Sequence, residues 1–221
     1  MVQRVVRTVC QAGITAAVVV LLFVAYQVWV TDLRSDRAQD EVADQLRDDW
    51  SSPAPLPAST APDFGTAFAF LHIPRLGDDY EQAVVEGTDD AVLEEAPGHF
   101  VDTALPGEIG NFSVAGHRVG KGSPFIDLDR LQDGDEIVVE TVDTWYVYRV
   151  SEVVVTEPTA TDAIAAVPGA AGDVPDRGYL TLVTCTPKFT DRLRLIVHAE
   201  LDGSTPKSES PDGPAVLLGT T

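Results

Sequence analysis

Between Phe64 and residue 202 the chain is cut into short runs of β-branched and apolar residues, each closed within a few positions by Pro, Gly or Asp. That punctuation leaves little room for long helices and favours strands. The runs are Phe68–Ile73, closed by Pro74, then Gln82–Val85, Ile109–Gly116, Glu136–Val142, Trp145–Thr156, Leu180–Thr184 and Arg194–Ala199. Asp133-Gly134 marks a turn, and Asp143-Thr144 a tight hairpin. Thr88 is a good N-cap for a short helix through Glu95, with Asp89 and Asp90 favourable in its first turn and Pro97-Gly98 as its stop. Ser123–Leu131 predicts a short helical turn. Seven or eight evenly spaced short strands with little helix imply a mainly β domain, an antiparallel sandwich or barrel. Residues 157–178 form a long loop with one helical turn at Asp162–Ala166, and long loops in compact domains tend to be functional or mobile.

The flanks differ in kind. Arg4 and Arg7 precede residues 12–30, which hold no charged side chain and suit a bilayer-spanning helix of about 20 residues. Tyr26 and Trp29 fall near the far end, where aromatic rings favour the interface, and the basic flank places the downstream domain outside the cell. The apolar run is longer than a usual signal-peptide core and has no small-x-small cleavage site, so an uncleaved anchor is expected. The division is therefore a cytoplasmic segment 1–11, an anchor 12–30, a stalk and linker 31–63, a folded domain 64–202 and a disordered tail 203–221. Within the stalk, Val42, Leu46 and Trp50 form one stripe at helical spacing. Residues 51–63 are rich in Pro, Ser and Ala, and the tail in Ser, Pro and Gly. A net charge of −20 and the lack of any basic stripe exclude nucleic acid as a partner.

Chemistry concentrates near Cys185. It sits at the mouth of one predicted strand, while Arg192 and Arg194 open the next, and a nearby cation favours the reactive thiolate. Cys10 lies in the apolar N-terminal region, so no disulfide is expected and Cys185 is a free thiol in an oxidising compartment. The bland alternative is a small buried cysteine. Thiol catalysis also needs a proton-transfer partner. His117 ends a strand, with Gly116 beside it and Gly120 and Gly122 opening the loop after it. His198 is the rival, because it shares strand parity with Arg194. His72 alternates within an apolar strand, and His99 follows a helix stop. Parity does not separate Arg192 from Arg194, which lie about 7 Å apart along a strand. No His pair has zinc-site spacing, no glycine pattern suits a phosphate, and no cofactor is expected.

Thr181-Leu-Val-Thr-Cys185-Thr-Pro, followed by Arg194-Leu-Ile-Val and preceded upstream by Ala115-Gly-His117-Arg118, resembles the sortase family of membrane-anchored cysteine transpeptidases. Ile73-Pro74-Arg75-Leu76-Gly77 and the Pro106-Gly107…Asn111 approach to the histidine extend the resemblance over Phe68–Leu201. The Cys-Thr-Pro continuation and the Arg-Leu-Ile-Val-His ending are similar to class E, the housekeeping type of high-GC Gram-positive bacteria, with the pilus-type class C as second choice. The resemblance implies a closed eight-stranded β-barrel with short helices, carrying a groove. It implies that Cys185 attacks the Thr–Gly bond of a Leu-Pro-x-Thr-Gly or Leu-Ala-x-Thr-Gly sorting signal on a secreted protein. His117 would move the protons, and Arg194 would hold the substrate backbone or oxyanion. Thr184 would add a substrate contact, and the acceptor would be an amine of a peptidoglycan precursor. A surface cysteine peptidase and a non-catalytic anchored β-domain are the alternatives.

Overall fold

A computed structural model describes residues 2–52 and 61–219. In chain order the helix α1 (Val2–Ser51) is followed by β1 (Ala67–His72), β2 (Glu81–Glu86), the short helix α2 (Asp90–Glu95), β3 (Gly98–His99) and β4 (Gly110–Ala115). Then come β5 (Glu136–Glu140), β6 (Thr144–Thr156), β7 (Gly178–Thr186) and β8 (Leu193–Pro206), with single 3-10 turns at Pro74–Leu76, Leu128–Arg130, Thr161–Ile164 and Ala215–Leu218. The strands close into a barrel in the order β1-β2-β3-β4-β7-β8-β6-β5.

The expected antiparallel pattern fails at two seams: β2 pairs β3 and β4 pairs β7 in parallel. Parallel neighbours need a crossover rather than a hairpin. The α2 segment supplies one crossover, and the long excursion from β4 through β5 and β6 supplies the other. Asp89 rather than Thr88 caps α2, its carboxylate accepting from the Val92 amide at 2.9 Å. The β5–β6 hairpin forms where expected, and β6 then continues to pair along β8. A register shift between Val150 and Glu152 changes the inward residues from Tyr148 and Val150 to Val153. One bulge thus lets a 13-residue strand follow the barrel's curvature.

Alternate residues fill the interior: Phe112 and Val114 from β4, Leu180 and Leu182 from β7, and Leu195, Val197 and Ala199 from β8. The opposite parity of these three strands therefore faces outward and carries Ser113, Thr181, Val183, Cys185, Arg194, Ile196 and His198.

Helix α1 is continuous through the expected anchor and stalk. Val6–Phe23 is long and apolar enough to cross a membrane by length and composition, a window that starts before the expected residue 12. Ile14, Val18–Phe23 and Tyr26 are exposed. The expected interfacial role of Trp29 and the linker segment 53–60 lie outside the described side chains and residues. Farther along, the predicted stripe docks: Val42, Ala43, Leu46 and Trp50 pack against Phe70 and Ala83 on the outside of β1 and β2. Trp50 meets Phe70 edge-on at 5.3 Å, and Arg47 lies over the Phe70 ring and pairs with Glu81.

The expected disordered tail is instead ordered through Gly219. Its first residues belong to β8, with Thr205 opposite Trp145. Trp145 Nε1 then donates to the Ser210 carbonyl at 3.0 Å. Composition alone read as disorder, but the start of β6 offers a partner edge that no local pattern announces.

Candidate active site

The row of candidate residues follows from strand register. β4 and β7 pair in parallel from Gly110 opposite Gly178 to Ala115 opposite Val183, and the Gly116 amide donates to the Val183 carbonyl at 3.0 Å. The same offset, carried two residues past the end of the ladder, would bring His117 level with Cys185. Across the other edge of β7, Cys185 is directly opposite Arg194. β7 and β8 thus set Cys185 beside Arg194 on the outer side of the barrel wall, and His117 lies two residues beyond the end of β4, between Gly116, which is bonded to Val183, and Arg118, which is bonded to the Cys185 carbonyl.

This pairing separates the two arginines that parity could not. β8 begins at Leu193, which leaves Arg192 exposed before the strand. Arg194 is half-buried. Its Nη1 donates to the carbonyls of Asp191 at 2.9 Å and Leu193 at 3.2 Å, while Nε and Nη2 make no hydrogen bond to the described residues. His198 is opposite Thr181, four residues along β7 from Cys185, which is about 13 Å at strand rise. It is buried and bonded to the Thr181 hydroxyl, so it stands apart from the thiol.

Thr184 is placed differently from the expected substrate contact. It lies on the inward side with Leu180 and Leu182, fully buried, and its hydroxyl donates to the Gly116 carbonyl at 2.7 Å. That geometry supports the backbone leading into His117 rather than a peptide in the groove. Gly116 has a steric reason as well: a Cβ there would come within 2.6 Å of the Phe125 ring, which is itself fully buried.

Arg118 adds a contact that its side chain alone does not advertise in the sequence. It is 4% exposed. Its Nε donates to the Ile126 carbonyl at 2.8 Å, Nη1 to the Cys185 carbonyl at 3.4 Å, and Nη2 pairs with Asp129 at 2.9 Å. A second ion pair, Lys188 with Asp127 at 2.9 Å, ties the β7–β8 loop to the same 3-10 turn region. The segment after His117 is therefore fastened to the strand end that bears Cys185.

His117 is half-buried, and its pKa lies below the usual imidazole value. Burial is the main cause and the Lys121 cation adds to it, while Asp90 and Glu94 act against both. Lys121 bonds Glu94 at 2.6 Å, which holds that carboxylate below its ordinary pKa. A neutral imidazole near pH 7 is the form that can accept a proton.

Elsewhere the fold gathers His72, Glu81 and Glu140, with ligand atoms within 4.8 Å of one another, a grouping that sequence spacing did not reveal. Cations of the chain already serve it: Arg47 pairs with Glu81, and Lys207 with Glu140 at 2.7 Å. The group reads as an ion-pair network under the docked stalk.

A family model described as the Sortase domain matches residues 71–202. Sortase SrtE1 of Streptomyces coelicolor is 38% identical over 215 residues, which cover 93% of this chain and 60% of that protein. Sortase SrtE2 of the same organism is 37% identical over 199 residues, covering 85% of this chain and 78% of that one. Among solved structures, sortase E from Streptomyces avermitilis superposes with a TM-score of 0.64 at 40% identity, covering 71% of this chain and 99% of that chain. The chain thus spans about three-fifths of the length of the first relative. A domain match across the barrel, together with E-type relatives along most of its length, makes this protein a member of the sortase family, of class E.

Proposed function

We propose that this protein is a cysteine transpeptidase that joins secreted proteins to the cell wall. His117 takes the proton of the Cys185 thiol, and the sulfur attacks the carbonyl carbon of Thr in a Leu-Pro-x-Thr-Gly or Leu-Ala-x-Thr-Gly sorting signal. The Thr–Gly bond breaks, a thioester to Cys185 forms, and His117 gives the proton that the departing glycine amine needs. An amine of a peptidoglycan precursor then attacks the thioester, His117 takes up its proton, and the thiolate is regenerated. The Nε and Nη2 groups of Arg194 serve the substrate carbonyl or the oxyanion. A donor of this kind, preorganised in a water-poor site, is worth several kcal/mol.

The observation that supports this reading is the pairing of Cys185 opposite Arg194 across β7 and β8, with His117 following β4, the strand on the other edge of β7. The anchor completes it. Val6–Phe23 is long and apolar enough to cross a bilayer, with Arg4 just before it and Arg7 at its N-terminal end. This fits a single span with the N-terminus inside and the barrel outside the cell.

The decisive experiment incubates the full chain in detergent micelles with Leu-Ala-x-Thr-Gly and Leu-Pro-x-Thr-Gly peptides, with and without an added amine, beside Cys185→Ala. Amine-joined product from the parent and none from the variant is expected. Hydrolysis alone, unchanged by added amine, would make the protein a peptidase. No turnover of either peptide with an unreactive thiol would favour a binding domain.

A further inference from the structure

Residues 157–177 connect β6 to β7, and their 3-10 turn rests on Asn111 and Thr181, on the outer face of the strands that also carry Cys185. Within that stretch Ala163 is the one buried residue. The segment is rich in Ala, Gly and Pro, so it brings little apolar area to the barrel and burial alone does not hold it in one place.

What holds it is polar. On the outer face, Asn111 of β4, Thr181 of β7 and His198 of β8 are all buried, at 2%, 0% and 7% exposure. Asn111 Nδ2 donates to the Ala165 carbonyl at 2.9 Å and to the Ala163 carbonyl at 3.3 Å. The Thr181 hydroxyl donates to Asn111 Oδ1 at 2.9 Å and meets His198 Nδ1 at 3.0 Å. The two carbonyls belong to the 3-10 turn Thr161–Ile164 and the residue after it. No buried side-chain polar atom among the described residues is left without a partner, so the network is complete with the loop seated. Withdrawal of the loop removes the partners of Asn111 Nδ2, and a buried polar group without a partner is costly.

Burial also keeps the His198 pKa below its usual value, against the carboxylates of Glu152 and Asp162. Thr181 and Cys185 share β7, and His198 and Arg194 share β8, so the fixture that seats the loop and the reacting groups are built on the same two strands.

We propose that Asn111, Thr181 and His198 form a latch that sets the position of the 157–177 segment, and so the width of the groove past Cys185. They are positioning residues: they hold the segment that orients the sorting peptide and shields the thioester from water. This rests on the transpeptidase reading given above.

The test compares the full chain with Thr181→Val and Thr181→Ser under the micelle assay. Valine keeps the β-branched shape that suits the strand and removes the hydroxyl at the centre of the latch, whereas serine keeps the hydroxyl. For Thr181→Val, KM for the sorting peptide should rise about fivefold, the worth of one net hydrogen bond, with a smaller change in kcat. Hydrolysed product should also rise relative to amine-joined product. Amide hydrogen exchange should quicken at Ala163, Ala165 and Gly169 while β1 and β5 stay protected. Thr181→Ser should restore all three readouts. An active parent with KM, product ratio and loop exchange unchanged in Thr181→Val would overturn the latch and leave the transpeptidase reading intact. A parent that joins neither peptide to the amine would overturn both.

Discussion

Arg118 buries a full guanidinium between the backbone of Cys185 and the loop that follows His117. Its three acceptors lie in three directions, a geometry that suits a planar fork of donors and not a single ammonium. Arg118→Lys is therefore expected to keep the charge and lose the bridge. kcat should fall about tenfold or more, as small misplacements of reacting groups do, with little change in KM, measured in the peptide–amine assay. Lys121 acts on the same site through space. Its cation disfavours the imidazolium of His117, so Lys121→Gln should raise the His117 pKa. The same change frees the Glu94 carboxylate, which pushes in the same direction. An NMR titration of the His117 ring should show the midpoint moving to higher pH, and the activity limb governed by this group should follow it.

The backbone path into His117 depends on how β4 leaves the sheet. Gly116 passes against the Phe125 ring and its carbonyl is held by Thr184 from β7. Thr184→Val preserves the shape and leaves that carbonyl short of a buried partner, a loss of about 1–3 kcal/mol. Lower stability in denaturant titration and a reduced kcat are expected, without a change in peptide preference. An altered preference between the Leu-Pro and Leu-Ala peptides would return Thr184 to the substrate. The strands other than β3 were legible from local pattern, because alternation has a period of two and prolines and glycines mark its ends; the two-residue β3, Gly98–His99, read only as a helix stop. The roles of Thr184 and His198 were not legible there either. Each depends on which residue of a remote strand lies opposite.

Across the molecule, α1 joins an apolar, exposed N-terminal stretch to a C-terminal stretch that is part of the barrel's outer packing. Leu46 is buried between Phe70 and Ala83. Leu46→Ala should cost about 2–3 kcal/mol, read as a lower denaturation midpoint of the barrel. A midpoint equal to the parent's would mean that the stalk contributes nothing to the fold. The end of β8 likewise pairs with the start of β6, and Trp145 gives the segment after it a hydrogen bond at Ser210.

Local chemistry was enough to announce a mainly β domain, the α2 cap region, the Val42–Leu46–Trp50 stripe and an apolar N-terminal helix, since each arises from residues a few positions apart. The motifs around His117, Cys185 and Arg194 also carried the family. The two parallel seams, the bridging of Arg118 and the seating of the 157–177 segment waited on the folded chain, whereas the closed barrel and the choice of Arg194 came from the family resemblance and not from local pattern. All of these are relations between strands far apart in sequence, and cross-strand register has no local signature until the sheet has formed.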